Sequence, residues 1–128
     1  MYVRFVVDQT DPDSGVELGI FQAMYQLWRA GKLAPHEEVW WEEIRAWFNV
    51  KLQEPARLSR SRRPGASKCA ISWFKSSAKN HIRRAREVTA LLAEHGIHSR
   101  MLRSKRPGYV VYEDRVQITA EPFRPEHR

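Results

Sequence analysis

The chain has 128 residues, 42% of them apolar and five of them tryptophan, enough to bury one core and too apolar for a disordered segment. A single cysteine, Cys69, excludes an internal disulfide and any zinc site built on two or more cysteines, and no apolar run approaches the roughly 20 residues of a spanning helix. The net charge of +7 and pI near 10.0 say nothing about fold, but they point to nucleic acid, a nucleotide or an acidic protein surface as partner.

That charge is concentrated in one place. Residues 1–54 carry five basic and nine acidic side chains, and residues 87–128 carry seven and six. Between Pro55 and Arg86 stand ten Lys or Arg and no Asp or Glu.

Tyr2 to Val7 alternate and are rich in β-branched and aromatic residues, which predicts a half-buried first strand. This start is too short and wrongly flanked for a signal peptide, so a cytosolic protein of bacterial type is the expectation. Asp8 to Gly15 form a polar loop whose three aspartates lack the glycine and glutamate spacing of an EF-hand, so they read as turn residues. Ser14 and Glu17 have the spacing of a capping box. Ile20, Phe21, Met24, Leu27 and Trp28 then recur at helical spacing up to Gly31, a glycine placed to end the helix.

A second helix is predicted over roughly 35–52, with Pro35 in its first turn and Glu37 and Glu38 facing the positive end of its dipole. Trp40, Ile44 and Trp47 form one row, and Trp41, Phe48 and Leu52 another. So wide an apolar face must be covered on two sides, by the core or by a partner, which includes a second copy of the chain. Glu54-Pro55 ends it. Residues 56–67 read as a basic loop in which arginines alternate with serines, suited to phosphate contacts.

From Ser67 the helical period returns, with Ile71, Phe74, Ala78, Ile82, Ala85, Thr89 and Leu92 on one side, which predicts a long helix closed by His95 and Gly96. Lys68, Lys75, Lys79, Arg83 and Arg86 fall on an adjacent strip continuous with the loop. Trp73 lies off the apolar side: either the helix starts later, or Trp73 packs against a second element, or it is exposed and available to stack on a base. The last third predicts a three-stranded meander: Ile97–Arg103, then Tyr109–Glu113 after a type II turn at Arg106-Pro107-Gly108, then 116–121 after a tight turn at Asp114-Arg115. Residues 1–122 form a single α+β domain and 123–128 a frayed tail. The expected order is β-α-α-α-β-β-β, an antiparallel four-stranded sheet with three helices on one face. Its other face would show residues such as Tyr2, Arg4, His98, Arg100, Tyr109 and Gln117.

No catalytic constellation stands out. Gly65 and Gly96 are too far apart for a phosphate loop, and the five histidines lack metal-ligand spacing, so no cofactor or metal is expected. Tyr112, Glu113 and Asp114 read as a turn between strands before an acid–base group. Cys69 stands amid positive charge that lowers a thiol pKa, without a partner to make it a nucleophile.

Four segments, Tyr2-Val3-Arg4-Phe5-Val6, Gly19-Ile20-Phe21-Gln22-Ala23, Ala70-Ile71-Ser72-Trp73-Phe74-Lys75 and Arg106-Pro107-Gly108-Tyr109-Val110-Val111-Tyr112-Glu113-Asp114, resemble a group of small bacterial proteins of unknown function. The resemblance implies an intact domain of bacterial type and carries over no site residues.

The functional expectation is a binding protein whose Arg57, Arg60, Arg62, Arg63, Lys68, Lys75, Lys79, Arg83 and Arg86 contact phosphates of RNA or DNA, with Trp73 as the stacking residue. The alternative is an interaction module that docks on an acidic protein through the tryptophan-rich helix, which would leave Trp40 or Trp41 exposed. An enzyme acting on a phosphorylated small molecule has only the arginines in its favour. No membrane partner is expected.

Overall fold

Val3, Phe5 and Val7 alternate along the first strand, and the fold is laid down on the face they share. A computed structural model describes residues 1–12, 15–52 and 70–123. Strand β1 (Tyr2–Thr10) is followed by β2 (Glu17–Gly19), helices α1 (Ile20–Arg29) and α2 (Pro35–Lys51), strand β3 (Ile71–Lys75), helix α3 (Lys79–Glu94), and strands β4 (Ser99–Ser104), β5 (Tyr109–Glu113) and β6 (Gln117–Glu121). The class is α+β, with three helices and six antiparallel strands among the described residues. No helix among them is long and apolar enough to cross a membrane.

The expected four-stranded sheet and its three-stranded meander are therefore corrected. Strand β4 pairs along β1 from Tyr2↔Ser104 to Val7↔Ser99, and only β5 and β6 form a hairpin. Strand β6 continues onto β3, with Ile71↔Ala120 through Phe74↔Gln117 in register. Two strands, β2 and β3, lie beyond the expected four.

The first is β2. Glu17, read as part of a helix cap, lies instead in a strand whose partner is the far half of β1, with Val6↔Gly19 and Thr10↔Glu17. That edge of β1 needs a partner for its peptide groups, and Gly15, at φ 75°, turns the chain back to provide one. Ser14 lies outside the described residues, and Gly19 takes the N-cap position of α1.

The second is β3, which replaces the first turns of the expected long helix. Ile71, Trp73 and Phe74 suit a pleated surface, and the segment gains four register pairs with β6 together with a 3.0 Å hydrogen bond between the Ser72 and Thr119 hydroxyls. Helix α3 starts only at Lys79, after a turn in which the Ala78 amide donates to the Lys75 carbonyl at 2.9 Å. Trp73 is off the helical stripe because it is not helical.

Strand β1 lends one edge to β4 from Tyr2 to Val7. Its other edge is shared: β3 covers Tyr2 and Val3, β2 covers Val6 to Thr10, and Arg4 and Phe5 face neither. The sheet is split at that point.

Val3, Phe5, Val7 and Phe74 pack beneath Met24 and Leu27 of α1, Trp41, Ile44 and Phe48 of α2, and Ala85, Val88 and Leu92 of α3. Fully burying side chains of this size contributes roughly 1.5–3 kcal/mol each. The opposite face is not the open polar surface expected. Alternation puts Val6 and, through Trp73↔Ile118, Ile118 there, and both are fully buried. Arg4 on that face and Gln117 are buried as well, while His98, Arg100 and Tyr109 are exposed and Tyr2 is half-buried. Gly31 and Gly96 end their helices in the left-handed conformation anticipated for them, at φ 68° and 77°. Gly108 has no positive φ, so the type II turn is not what requires it. A Cβ there would lie 2.7 Å from the Glu121 carbonyl carbon: this glycine allows two backbones to meet.

Candidate functional site

The split in the sheet opens into a cavity of about 630 Å³, within the usual range for a small-molecule site. Its floor is the unpaired stretch of β1, Arg4 and Phe5, with Gly19 at the end of β2 on one side and Ser72, Trp73 and Phe74 of β3 on the other. Ile20, Phe21 and Tyr25 of α1 and Trp41, Arg45, Phe48 and Asn49 of α2 complete the wall. Apolar and aromatic side chains make up most of that wall because two helices lay their sheet-facing stripes against it. Phe21 and Phe48 meet edge to face at 4.8 Å between ring centroids, and Phe48 lies 6.3 Å from Phe74.

Into this apolar setting the fold places positive charge and unused donors. Arg4 is only 8% exposed, and its Nη2 donates to the Glu17 carbonyl at 2.6 Å, its one hydrogen bond among the described residues. A guanidinium carries five N–H donors, so most of this group's capacity is unused. Burial lowers the Arg4 pKa, while the charges of Glu17 and Asp11 pull it upward; the group stays protonated. Helix α1 begins at the cavity with no side-chain cap and no acidic residue in its first turn, leaving the positive end of its dipole open. Trp41 is 3% exposed, and its indole N–H is buried with no acceptor among the described residues. Arg45, exposed at the mouth, lies 5.8 Å from the centre of the Trp28 ring. No acidic side chain lines the cavity among the described residues.

The residues expected to bind phosphate are divided by the structure. Arg57, Arg60, Arg62, Arg63 and Lys68 lie outside the described residues, as does Cys69. The chain leaves at Leu52, itself on the cavity wall, and returns at Ala70, two residues before Ser72 on the same wall. Lys75 is not part of a helical strip: it is on β3, ion-paired with Glu113 at 2.7 Å. Lys79, Arg83 and Arg86 do share one side of α3 and are exposed. Lys79 and Arg83 make no ion pair among the described residues, while the Arg86 guanidinium lies 3.6 Å from the Met101 sulfur and 5.9 Å from the centre of the Phe5 ring. Trp73 stands apart from this strip, half-buried in the cavity wall. Arg4, Arg45 and the start of α1 were not legible as one site, because their convergence depends on the split in the sheet.

The tryptophan-rich helix is mainly core: Trp41 is buried, Trp40 and Trp47 are half-buried, and the Arg84 guanidinium covers Trp47 at 5.4 Å. Tyr112 and Glu113 end β5 and Asp114 opens the connection to β6, where the Tyr112 hydroxyl donates to Asp114 at 2.9 Å. Among the described residues no three His, Cys, Asp or Glu side chains gather as they would around a metal ion.

Comparison of the chain with protein-family models, with curated proteins and with solved structures finds no match in any of the three.

Proposed function

We propose that this protein binds nucleic acid through phosphate contacts, with little sequence selectivity. The observation that carries the reading is the exposed strip Lys79, Arg83 and Arg86 on α3, in a chain whose residues 55–86 hold ten basic and no acidic side chains. Exposed cations without acidic partners are free to replace the counterions of a phosphate backbone, and affinity then falls steeply with salt. Arg57, Arg60, Arg62, Arg63 and Lys68 belong to the same reading by sequence. Docking on an acidic protein through α2 is the weaker alternative, because Trp41 is buried and Trp40 is half-buried.

The test is fluorescence anisotropy with short single- and double-stranded RNA and DNA at two salt concentrations. Salt-sensitive binding is expected, weakened when Lys79 and Arg83, or Arg60, Arg62 and Arg63, are changed to Glu. The slope of log affinity against log salt should shrink by about 0.7–0.9 for every side chain that no longer meets a phosphate. Absence of binding at low salt overturns the proposal.

A further inference from the structure

We infer that the cavity at the split in the sheet is a binding site for a small planar aromatic ligand carrying an anionic group, a carboxylate or a phosphate. This goes beyond the polyanion reading, since it uses different residues on a different part of the molecule.

Three independent features at one place favour an anion. Arg4, only 8% exposed as a residue, lines the cavity, and its guanidinium uses one of its donors among the described residues. Glu17 and Asp11 balance part of this charge, but most of the guanidinium's five donors have no acceptor among the described residues, and a ligand anion supplies acceptors for them. The start of α1, which has no side-chain cap and whose Gly19, Ile20 and Phe21 line the cavity, sets a positive dipole end beside the same space. Arg45 adds a third positive element at the mouth. No carboxylate is among the described lining residues; Glu17 and Asp11, whose charges reach Arg4, lie outside that lining.

The remaining wall argues for a flat ring. Phe21, Phe48, Trp73 and Phe74 present aromatic surfaces, and such rings gain from offset stacking or edge contacts beyond the area they bury. An aliphatic anion would satisfy the arginines and leave the aromatic wall unused. A neutral arene would do the reverse. One ligand chemistry meets both needs, and it has two sources: a free aromatic acid, or a nucleotide, whose base is the ring and whose phosphate is the anion.

Isothermal titration calorimetry on the full chain tests this with 2-naphthoate, with 2-naphthylmethanol as its uncharged analogue, and with adenosine 5′-monophosphate. The acid is expected to bind at least about tenfold more tightly than the alcohol, as one charge-assisted hydrogen bond gives. Asn49→Trp, an exposed position on the cavity wall, should block the acid without removing a charge. Arg45→Met should weaken it several-fold while leaving the fold intact. Displacement of 2-naphthoate by the mononucleotide assigns the site to nucleotides, and failure to displace it assigns the site to free aromatic acids. Lys79→Glu with Arg83→Glu should change none of these affinities, which separates this inference from nucleic-acid binding. If neither anion binds the wild-type chain at millimolar concentration, or if Asn49→Trp binds the acid unchanged, the inference is overturned.

Discussion

The Nε2 of His95 lies 3.1 Å from both carboxylate oxygens of Glu37. Glu37 also accepts a 2.8 Å hydrogen bond from the Ala34 amide at the start of α2, so one carboxylate ties the beginning of α2 to the end of α3. The dipole of α2 favours the anion at its N-terminus.

The pairing gives the fold an acid-sensitive joint. The Ala34 amide holds the Glu37 pKa below its ordinary 4.5 against opposing burial, and the His95 hydrogen bond adds to the effect. A carboxylate with a lowered folded pKa contributes stability that is complete above its unfolded value and is lost as pH falls through the folded one. Glu37→Gln should therefore have a lower urea midpoint than wild type at neutral pH, with the two curves converging below about pH 4. A gap that stays constant into acid would show that the carboxylate's charge plays no part.

Asp114 organises the β5–β6 hairpin single-handed. Its Oδ1 accepts from the amides of Val116 and Gln117 at 2.9 and 3.0 Å, and its Oδ2 from the Tyr112 hydroxyl and the Gln117 side-chain amide at 2.9 and 3.1 Å. Burial raises the Asp114 pKa, but these hydrogen bonds outweigh it and the net shift is downward. Asp114→Ala should cost about 2 kcal/mol in chemical denaturation because it strands donors of Val116 and Gln117. Asp114→Asn, which keeps acceptor oxygen at one position, should lose less.

His81 is 8% exposed among the rings of Trp47, Phe48 and Phe74, and its Nε2 lies 2.8 Å from the Lys51 carbonyl at the end of α2. The carbonyl can only accept, so Nε2 carries the proton. His81→Phe keeps a ring in the cluster and deletes that bond. A loss of about 1 kcal/mol is expected, with faster amide exchange confined to the last turn of α2.

Gly108 meets the backbone of Glu121 and Pro122 so closely that any side chain collides with it. Gly108→Ala should destabilise by about 3 kcal/mol or more, since the obstacle is main chain and cannot rotate away. The loss should appear as broadened resonances in β5 and β6 while α1 to α3 keep their spectra.

Much of this fold is readable from residue pattern. The stripe Ile20, Met24 and Leu27, the helix from Pro35, the ends at Gly31 and Gly96 and the β5–β6 hairpin all stand where periodicity and turn chemistry put them. Strand β3 does not, because five residues cannot separate a period of 2 from one of 3.6 when the next helix continues the apolar spacing. Trp73, off the stripe, is the one residue that registers the break. Strand β2 has three residues, too few for any period, and its existence depends on a free edge of β1 that no local pattern reveals. Since the cavity is a product of β2 and β3 sharing that edge, Arg4 could be read only as a strand residue, and its burial beside the start of α1 is a tertiary fact.

The shared edge of β1 also bears on how the sheet comes apart. Among the described residues the strand pairing between two three-stranded units, β2-β1-β4 and β3-β6-β5, is limited to Tyr2↔Lys75 and Val3↔Phe74, with the Ser76 amide donating to the Met1 carbonyl at 3.1 Å. A seam two residues wide transmits little cooperativity. The strands should open as two blocks with separate exchange free energies rather than as one, and a molecule seated across the seam would fuse them into a single unfolding unit.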